Sequence, residues 1–392
     1  MKRDWGILII CYAAISFILF YRFGVKVVND SPRYLEYAYG LKTSFYFDPH
    51  NFWYFSYVLF LRFFQLFTSN LVVVVIAQFI LNFIATLSLY ETSYLLYRSR
   101  LTSLICSGSY LLFFEIISWN CYIIPEAFYC AFICFSFYFL TYSYLNKVNL
   151  KNGVLSFLAI LITILAKPTG LSLLGALLVV LTVYLFRNSK SMVFRISIPL
   201  FSALLFFLIL NKMLLTFDWL DRDYIVGDIV YGVQTIPDDQ NKLSSLYISH
   251  NENLYIPNKN LPEIIRIVSF ILHNPTYWFT LFIHKAWYFL SHTRPYWSIR
   301  HNAYSLLYFF IIYLGSMKSL LRKGSKLLKL FGVSYFLLHM SAVCFSTVDW
   351  DGRFILPLIP ILCIASSISL TNVLTTWLTA SRKFVSLTLD KT

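Results

Sequence analysis

Long apolar runs follow one another along almost the whole chain, each broken from the next by a short polar or basic stretch. The runs fall at 5–23, 71–90, 101–118, 125–145, 153–167, 170–186, 196–216, 303–317, 329–347 and 354–372. A helix needs roughly 17 to 25 mostly apolar residues to cross a bilayer, so each run predicts a transmembrane helix. Two further stretches are apolar but read differently. Asn51 to Phe67 is short, very aromatic, and carries Arg62 and Gln65. It predicts a helix lying in the interface. Pro262 to Ser291 is interrupted by Pro275 and holds His284 and Lys285 in its second half. It predicts two interfacial helices. The expected fold is an all-α polytopic membrane protein of about ten transmembrane helices, with outer-face interfacial helices and one large outer loop. Residues 1–216 form an N-terminal core that includes a first outer loop at 24–70. Residues 217–302 form the large outer loop, and 303–392 the C-terminal helices and a short tail.

The charges set the orientation. Lys and Arg concentrate in cytoplasmic loops. With the N-terminus inside, the cytoplasmic connections become Arg98 to Arg100, Lys147 to Lys151, Arg187 to Arg195, Lys318 to Lys329, and the tail with Arg382 and Lys383. All are basic. The opposite side receives 24–70, 119–124, 167–169, 217–302 and 348–353. With 58% hydrophobic and only 13% charged residues, the net charge of +14 is a topology signal and does not point to nucleic acid. The seven cysteines show neither a CxxC pair nor a zinc-ligand spacing and read as packing residues, with Cys121 nearest the outer surface. Met1-Lys2-Arg3 before the first run, with no small-residue cleavage site after it, reads as the start of an uncleaved span. The large loop carries Asp218, Asp221, Asp223, Asp228, Asp238 and Asp239 but no Asn-x-Ser/Thr acceptor, which favours a bacterial envelope.

Candidate chemistry then gathers on one side. Ionisable groups at membrane depth are costly and mark function by default. Asp30 and Arg33 follow the first span. Glu126 follows Pro125 at the start of the fourth, and Lys167-Pro168 joins the fifth to the sixth. His292, Arg294, Arg300 and His301 precede the eighth, and Asp349, Asp351 and Arg353 precede the tenth. Each has a structural alternative. Asp30 reads equally as a turn or cap residue, Glu126 as a first-turn acid, and Lys167 as a snorkelling cation. His292 and Arg294 read as interface anchors, and Arg353 as a local partner of Asp349 or Asp351. His339 reads as a satisfied buried histidine. Gln78 and Asn82 read as interhelical hydrogen-bonding groups. Asp349-Trp-Asp351 and Asp221-Arg-Asp223 have a spacing able to hold a divalent cation through oxygen.

The order of these features resembles the membrane glycosyltransferases of the GT-C fold. The nearest likeness is to the bacterial branch similar to protein O-mannosyltransferases and lipid A aminoarabinose transferases. The likeness rests on Asp30 in the first loop, Pro125-Glu126 opening a span, and Lys167-Pro168-Thr169-Gly170 between spans. It continues with the His273-Asn274-Pro275 to Tyr288 stretch and ends at Asp351-Gly352-Arg353-Phe354. The resemblance implies an enzyme that moves a sugar from a polyprenyl-phosphate donor to an acceptor at the outer face. Asp30 is the expected general base and Glu126 the second catalytic acid. Lys167, Arg353, Arg294 and Arg33 are expected at the donor phosphate. Tyr34, His292 and Asp351 are expected at the sugar or acceptor. One base with direct displacement implies inversion at the anomeric carbon. No cofactor is fixed; a divalent metal remains open, with Asp349 and Asp351 its candidates. The implied partners are the lipid-linked donor, a glycan, lipid or protein acceptor, and the bilayer. The implied location is the bacterial inner membrane, with both termini cytoplasmic and the active site extracytoplasmic. The chain departs from the pattern at Asn29 and Ser31, which flank Asp30 where relatives often carry a second acid. Two other readings stand: a surface-polysaccharide polymerase or ligase using lipid-linked oligosaccharide, and a lipid or solute transporter.

Overall fold

The structure, a computed structural model, describes residues 2–43, 46–146, 149–218, 220–233, 243–248, 254–322 and 324–389. Lys147, Asp238 and Asp239, which the sequence places in loops, lie outside the described residues. Among the described residues the fold is all helical, and extended pairing is limited to three isolated bridges. Among the described residues eight helices are long and apolar enough to cross a membrane.

The first long helix, α1 (Lys2–Phe23), is followed by α2 (Ser31–Thr43), α3 (Pro49–Phe52) and α4 (Phe55–Gln65), then by a second long helix, α5 (Leu71–Tyr97). Helices α1 and α5 run antiparallel. Trp5 Nε1 donates to Glu91 Oε1 at 3.3 Å and Tyr12 OH donates to the Phe79 carbonyl at 2.7 Å. The chain therefore leaves α1 and enters α5 at the same end of the bundle, and 24–70 stays at that end. Helix α4 is 11 residues, about 16 Å, too short to cross. It buries one face through Ser56, Tyr57, Val58 and Leu61 and exposes Leu59, Phe63 and Leu66. That is the one-sided packing expected of an interfacial helix.

Next come α6 (Arg100–Leu112), α7 (Glu115–Ser118), α8 (Glu126–Leu145), α9 (Leu150–Ile164), α10 (Leu171–Asn188) and α11 (Met192–Phe217). The run predicted as one span over 101–118 is broken: the two pieces, Arg100–Leu112 and Glu115–Cys121, meet at 63°. After α11 the chain forms α12 (Glu263–His273) and α13 (Pro275–Ser291). Pro275 opens α13 at the first helical position, where a missing N–H is harmless. The last long helices are α14 (Ile299–Leu320), α15 (Lys326–Cys344) and α16 (Ile359–Leu389), the last preceded by a 3₁₀ turn, Arg353–Leu358.

The segments assigned by charge to one side meet at one end of the bundle. Lys26 N–H donates to the Cys121 carbonyl at 2.8 Å and Ile123 N–H returns to Lys26 at 2.9 Å. Ser56 N–H reaches the Leu165 carbonyl at 3.0 Å, and Tyr231 N–H the Val348 carbonyl at 2.9 Å. The large loop thus packs onto the core. Tyr224 OH donates to the Cys344 carbonyl and Tyr277 OH to the Tyr224 carbonyl, both at 3.0 Å. At the opposite end Asp4, buried, accepts both Nε and Nη2 of Arg100 at 2.7 Å and Tyr90 OH at 2.7 Å. That cluster ties α1, α5 and α6 together. All seven cysteines are free, and Cys121 is buried.

Candidate active site

The site is built by loops that rigid helix ends hold in place. Gln78 and Asn82 in α5 carry the expected interhelical bonds. Gln78 Nε2 donates to the Asn120 and Tyr122 carbonyls at 2.8 and 3.0 Å, and Asn82 Nδ2 to Asn120 Oδ1 at 2.6 Å. They fix the turn that delivers Glu126 as the first residue of α8. Lys167 is delivered by the tight Lys-Pro-Thr-Gly link. Gly170 is needed there because a Cβ would stand 2.6 Å from the Thr163 carbonyl. Arg353 is delivered by Asp349, whose carboxylate accepts the backbone N–H groups of Arg353 and Phe354 at 2.5 and 3.3 Å. Buried His339 supports the same turn, its Nε2 lying 2.8 Å from the Phe354 carbonyl.

Arg353 is the hub. Its Nη2 lies 3.4 Å from Asp30 Oδ2, its Nη1 3.4 Å from Glu126 Oε1, and its Nε 3.9 Å from Asp351 Oδ1. Lys167 Nζ donates to the same Glu126 Oε1 at 2.8 Å and sits over the Phe354 ring at 4.5 Å. Arg33 Nη2 stands 4.0 Å from Asp30 Oδ1 and donates to Tyr34 OH at 2.8 Å. Its guanidinium covers the rings of Tyr34 and Tyr54. Six of the expected residues (Asp30, Arg33, Glu126, Lys167, Asp351 and Arg353) therefore share one constellation, although Asp30 and Arg353 stand at opposite ends of the sequence.

Burial divides the constellation into two layers. The Glu126 and Lys167 side chains are only 4% and 5% exposed, whereas Asp30 is 41% and Arg33 37% exposed. An open carboxylate with two guanidinium groups beside it thus lies above a buried ion pair. Desolvation, offset by Arg353 and reinforced by Asp349, raises the Asp351 carboxyl from its ordinary value. Glu126 Oε2, Arg353 Nε and Arg33 Nε are buried and have no hydrogen-bond partner. Buried polar atoms of that kind are rare, and all three belong to side chains of this constellation.

Other expected residues have different work. Arg294 is 1% exposed. It directs Nε and Nη2 to the Asp349 carbonyl at 3.1 and 2.6 Å, and Nη1 to the Tyr288 and Thr293 carbonyls at 2.9 and 2.8 Å. It is a clamp on the backbone, positioned by α13, and it faces carbonyls where a phosphate ligand was expected. Tyr34 is buried beneath Arg33, against Tyr54 and Tyr57. The Asp349 carboxylate is occupied by N–H groups and Asp351 faces Arg353, an arrangement that does not aim the pair at a shared cation. Asp221 is held by Arg266 at 2.7 Å and Lys259 at 2.9 Å. His292 turns away to Glu115, its Nε2 2.8 Å from Oε2. Glu115 is the residue missed by sequence reasoning. Its signal is an acid inside an apolar run, a costly placement that marks function by default.

An apolar cavity of about 1140 Å³ lies apart from this constellation. It runs between α8, α10, α14, α15 and α16, with Leu290 and Tyr313 toward the middle of the bundle and Arg322, Ser325 and Lys329 at the opposite end. No family model matches the sequence, and no curated protein matches it.

Proposed function

We propose that the protein is a glycosyltransferase that takes a sugar from a polyprenyl phosphate and acts at the extracytoplasmic face of the bacterial inner membrane. The observation that carries this reading is the exposed Asp30 carboxylate held beside Arg353 and Arg33, above the buried Glu126–Lys167 pair. In the proposed reaction Asp30 takes the proton of an acceptor hydroxyl as its oxygen attacks the anomeric carbon. The bond from that carbon to the phosphate oxygen breaks, and prenyl phosphate leaves. Its developing charge is stabilised by Arg353 and Arg33, whose guanidinium forks match phosphate oxygens. Lys167 and Glu126 act one layer below by fixing Arg353. A single base implies inversion. In this reading the bent pair at 100–121 and the short helix α9 also cross, which makes about ten crossings.

A lipid transporter is the second reading, favoured by the apolar cavity and its basic rim at the opposite end. A polymerase or ligase leaning on Arg294 and His292 draws less support, since those side chains engage backbone carbonyls and Glu115. The test is incubation of purified protein with a panel of labelled prenyl-phosphate sugars and envelope extract. Transfer of label to an acceptor with inverted anomeric configuration is the expected result. Translocation of labelled lipid in proteoliposomes without any transfer would replace this reading by the transporter.

A further inference from the structure

Glu115, His292 and His301 come from three separate elements and converge on one point. Glu115 opens α7 immediately after the 63° break in the apolar segment 100–121. His292 closes α13 with a φ of +49°, a left-handed backbone that few non-glycine residues adopt. Its ring is 1% exposed. His301 lies in the first turn of α14, where the Ser298 hydroxyl caps its N–H at 3.2 Å. Both imidazoles present Nε2 to the same carboxylate: His292 to Oε2 at 2.8 Å, and His301 to Oε1 in a short hydrogen bond.

The ligand atoms of the three side chains lie within 4.8 Å of one another, and among the described residues no other group of three or more His, Cys, Asp or Glu does so. The rings are held in place. Trp297 packs against His292 at 5.1 Å and His301 at 4.3 Å, and Phe113 stands edge-on to His292 at 5.3 Å. Gly352 presses its backbone on the other side of His292, where a Cβ would come within 2.2 Å of Cε1.

Two imidazoles and one carboxylate form a three-ligand set of the kind that holds zinc with a fourth position open. Magnesium and calcium prefer all-oxygen sets. Ligand bonds of about 2.0–2.1 Å require the nitrogen and oxygen atoms to part from their hydrogen-bonded spacing by roughly half an ångström for His292 and about one for His301. Rotations of the Glu115 carboxylate and of the partly exposed His301 ring supply that. We propose that Glu115, His292 and His301 bind a single zinc-type divalent ion, which staples the broken helix α6–α7 to α13 and α14. This site is independent of the proposed sugar transfer.

The test uses the full chain, tag removed and stripped with chelator, in detergent. Added Zn²⁺ is expected to bind at one ion per chain and to raise the unfolding temperature by several degrees, as any ligand of the folded state does. Mg²⁺ is expected to do neither. Co²⁺ is expected to give the visible absorption of a four-coordinate site. His301→Ala should abolish uptake and the temperature shift; His301→Cys, which restores a ligand, should recover uptake and add a thiolate-to-cobalt band. Zinc content well under one ion per chain, with no shift and no cobalt spectrum, would reduce the trio to a hydrogen-bonded clasp and overturn the proposal. Undiminished uptake by His301→Ala would overturn it equally. If that variant does not fold, the cobalt spectrum of the wild type still decides.

Discussion

Asp30 and Glu126 are both carboxylates near Arg353, yet their surroundings give them different capacities. Glu126 is enclosed with Lys167 and Arg353, and a buried carboxylate so paired serves to fix its cations. Asp30 meets solvent and can meet an acceptor. Gly352 allows the turn between Asp349 and Arg353, the cation that both carboxylates face. Its φ is +72°, and an added Cβ would collide with His292. Gly352→Ala should therefore lower stability by at least about 1–2 kcal/mol, the cost of a left-handed backbone for a residue with a Cβ. Thermal unfolding in detergent measures it, and an unchanged midpoint would contradict the packing described. At this scale the sequence is informative where a charge falls at or just beyond the edge of an apolar run: Asp30, Glu126, Lys167 and Arg353 stand out that way, and the structure brings them together. It was silent about what a charge touches. Arg294 resembled a free cation because backbone carbonyls, its real partners, leave no mark in sequence. Glu115 was hidden because the run around it looked continuous.

Helices and loops were more legible than their breaks. Apolar length alone located the long helices to within a few residues at most ends, since the bilayer demands that length. Arg62 and Gln65 set apart a stretch that forms only the 11-residue α4, and Pro275 marks the division of α12 from α13. The break at Phe113 was not legible, because both halves are apolar and the turn serves a tertiary contact of Glu115. Helix α13 carries a further consequence in Lys285. Its side chain is fully buried, with Nζ 2.5 Å from the Ser346 carbonyl and over the Tyr224 ring. Desolvation pushes it down to about 8, against the pull of Asp223, Cys344 and Asp228. The unfolded chain therefore holds this proton more tightly. Stability is lowered in full below about pH 8 and recovers as pH rises from about 8 toward the ordinary 10.5. The full recovery is on the order of 3 kcal/mol. Lys285→Met should remove this alkaline rise; a wild type and variant whose unfolding midpoints change in parallel between pH 7.5 and about 10 would contradict it.

Across the whole molecule, the alternation of basic and loop-rich ends is what gathers the site. The Asp4–Arg100–Tyr90 cluster closes one end, and the Asp30–Arg353–Glu126 cluster occupies the other. A bundle wound in this way can bring together residues from the beginning, middle and end of the chain. Sequence order suggested the grouping through charge asymmetry, but not the two-layer arrangement, which depends on burial. The orientation has its own test. Ser69 precedes α5 at the loop-rich end, and Lys190 joins α10 to α11 at the other; both are in short connections. Ser69→Cys should react with an impermeant maleimide in intact spheroplasts, and Lys190→Cys only after permeabilisation. The reverse pattern would place the site in the cytoplasm.

The central claim is that Asp30 takes the acceptor proton at this loop-rich end. Its most direct measurement is the rate of sugar transfer from the labelled prenyl-phosphate donor by wild type and by Asp30→Asn, at matched folded protein confirmed by unfolding midpoint. Asparagine keeps the size and the contact with Arg353 but cannot take a proton. The expected loss is roughly 100- to 10,000-fold, the usual contribution of a positioned general base. Transfer at the wild-type rate by folded Asp30→Asn would contradict it.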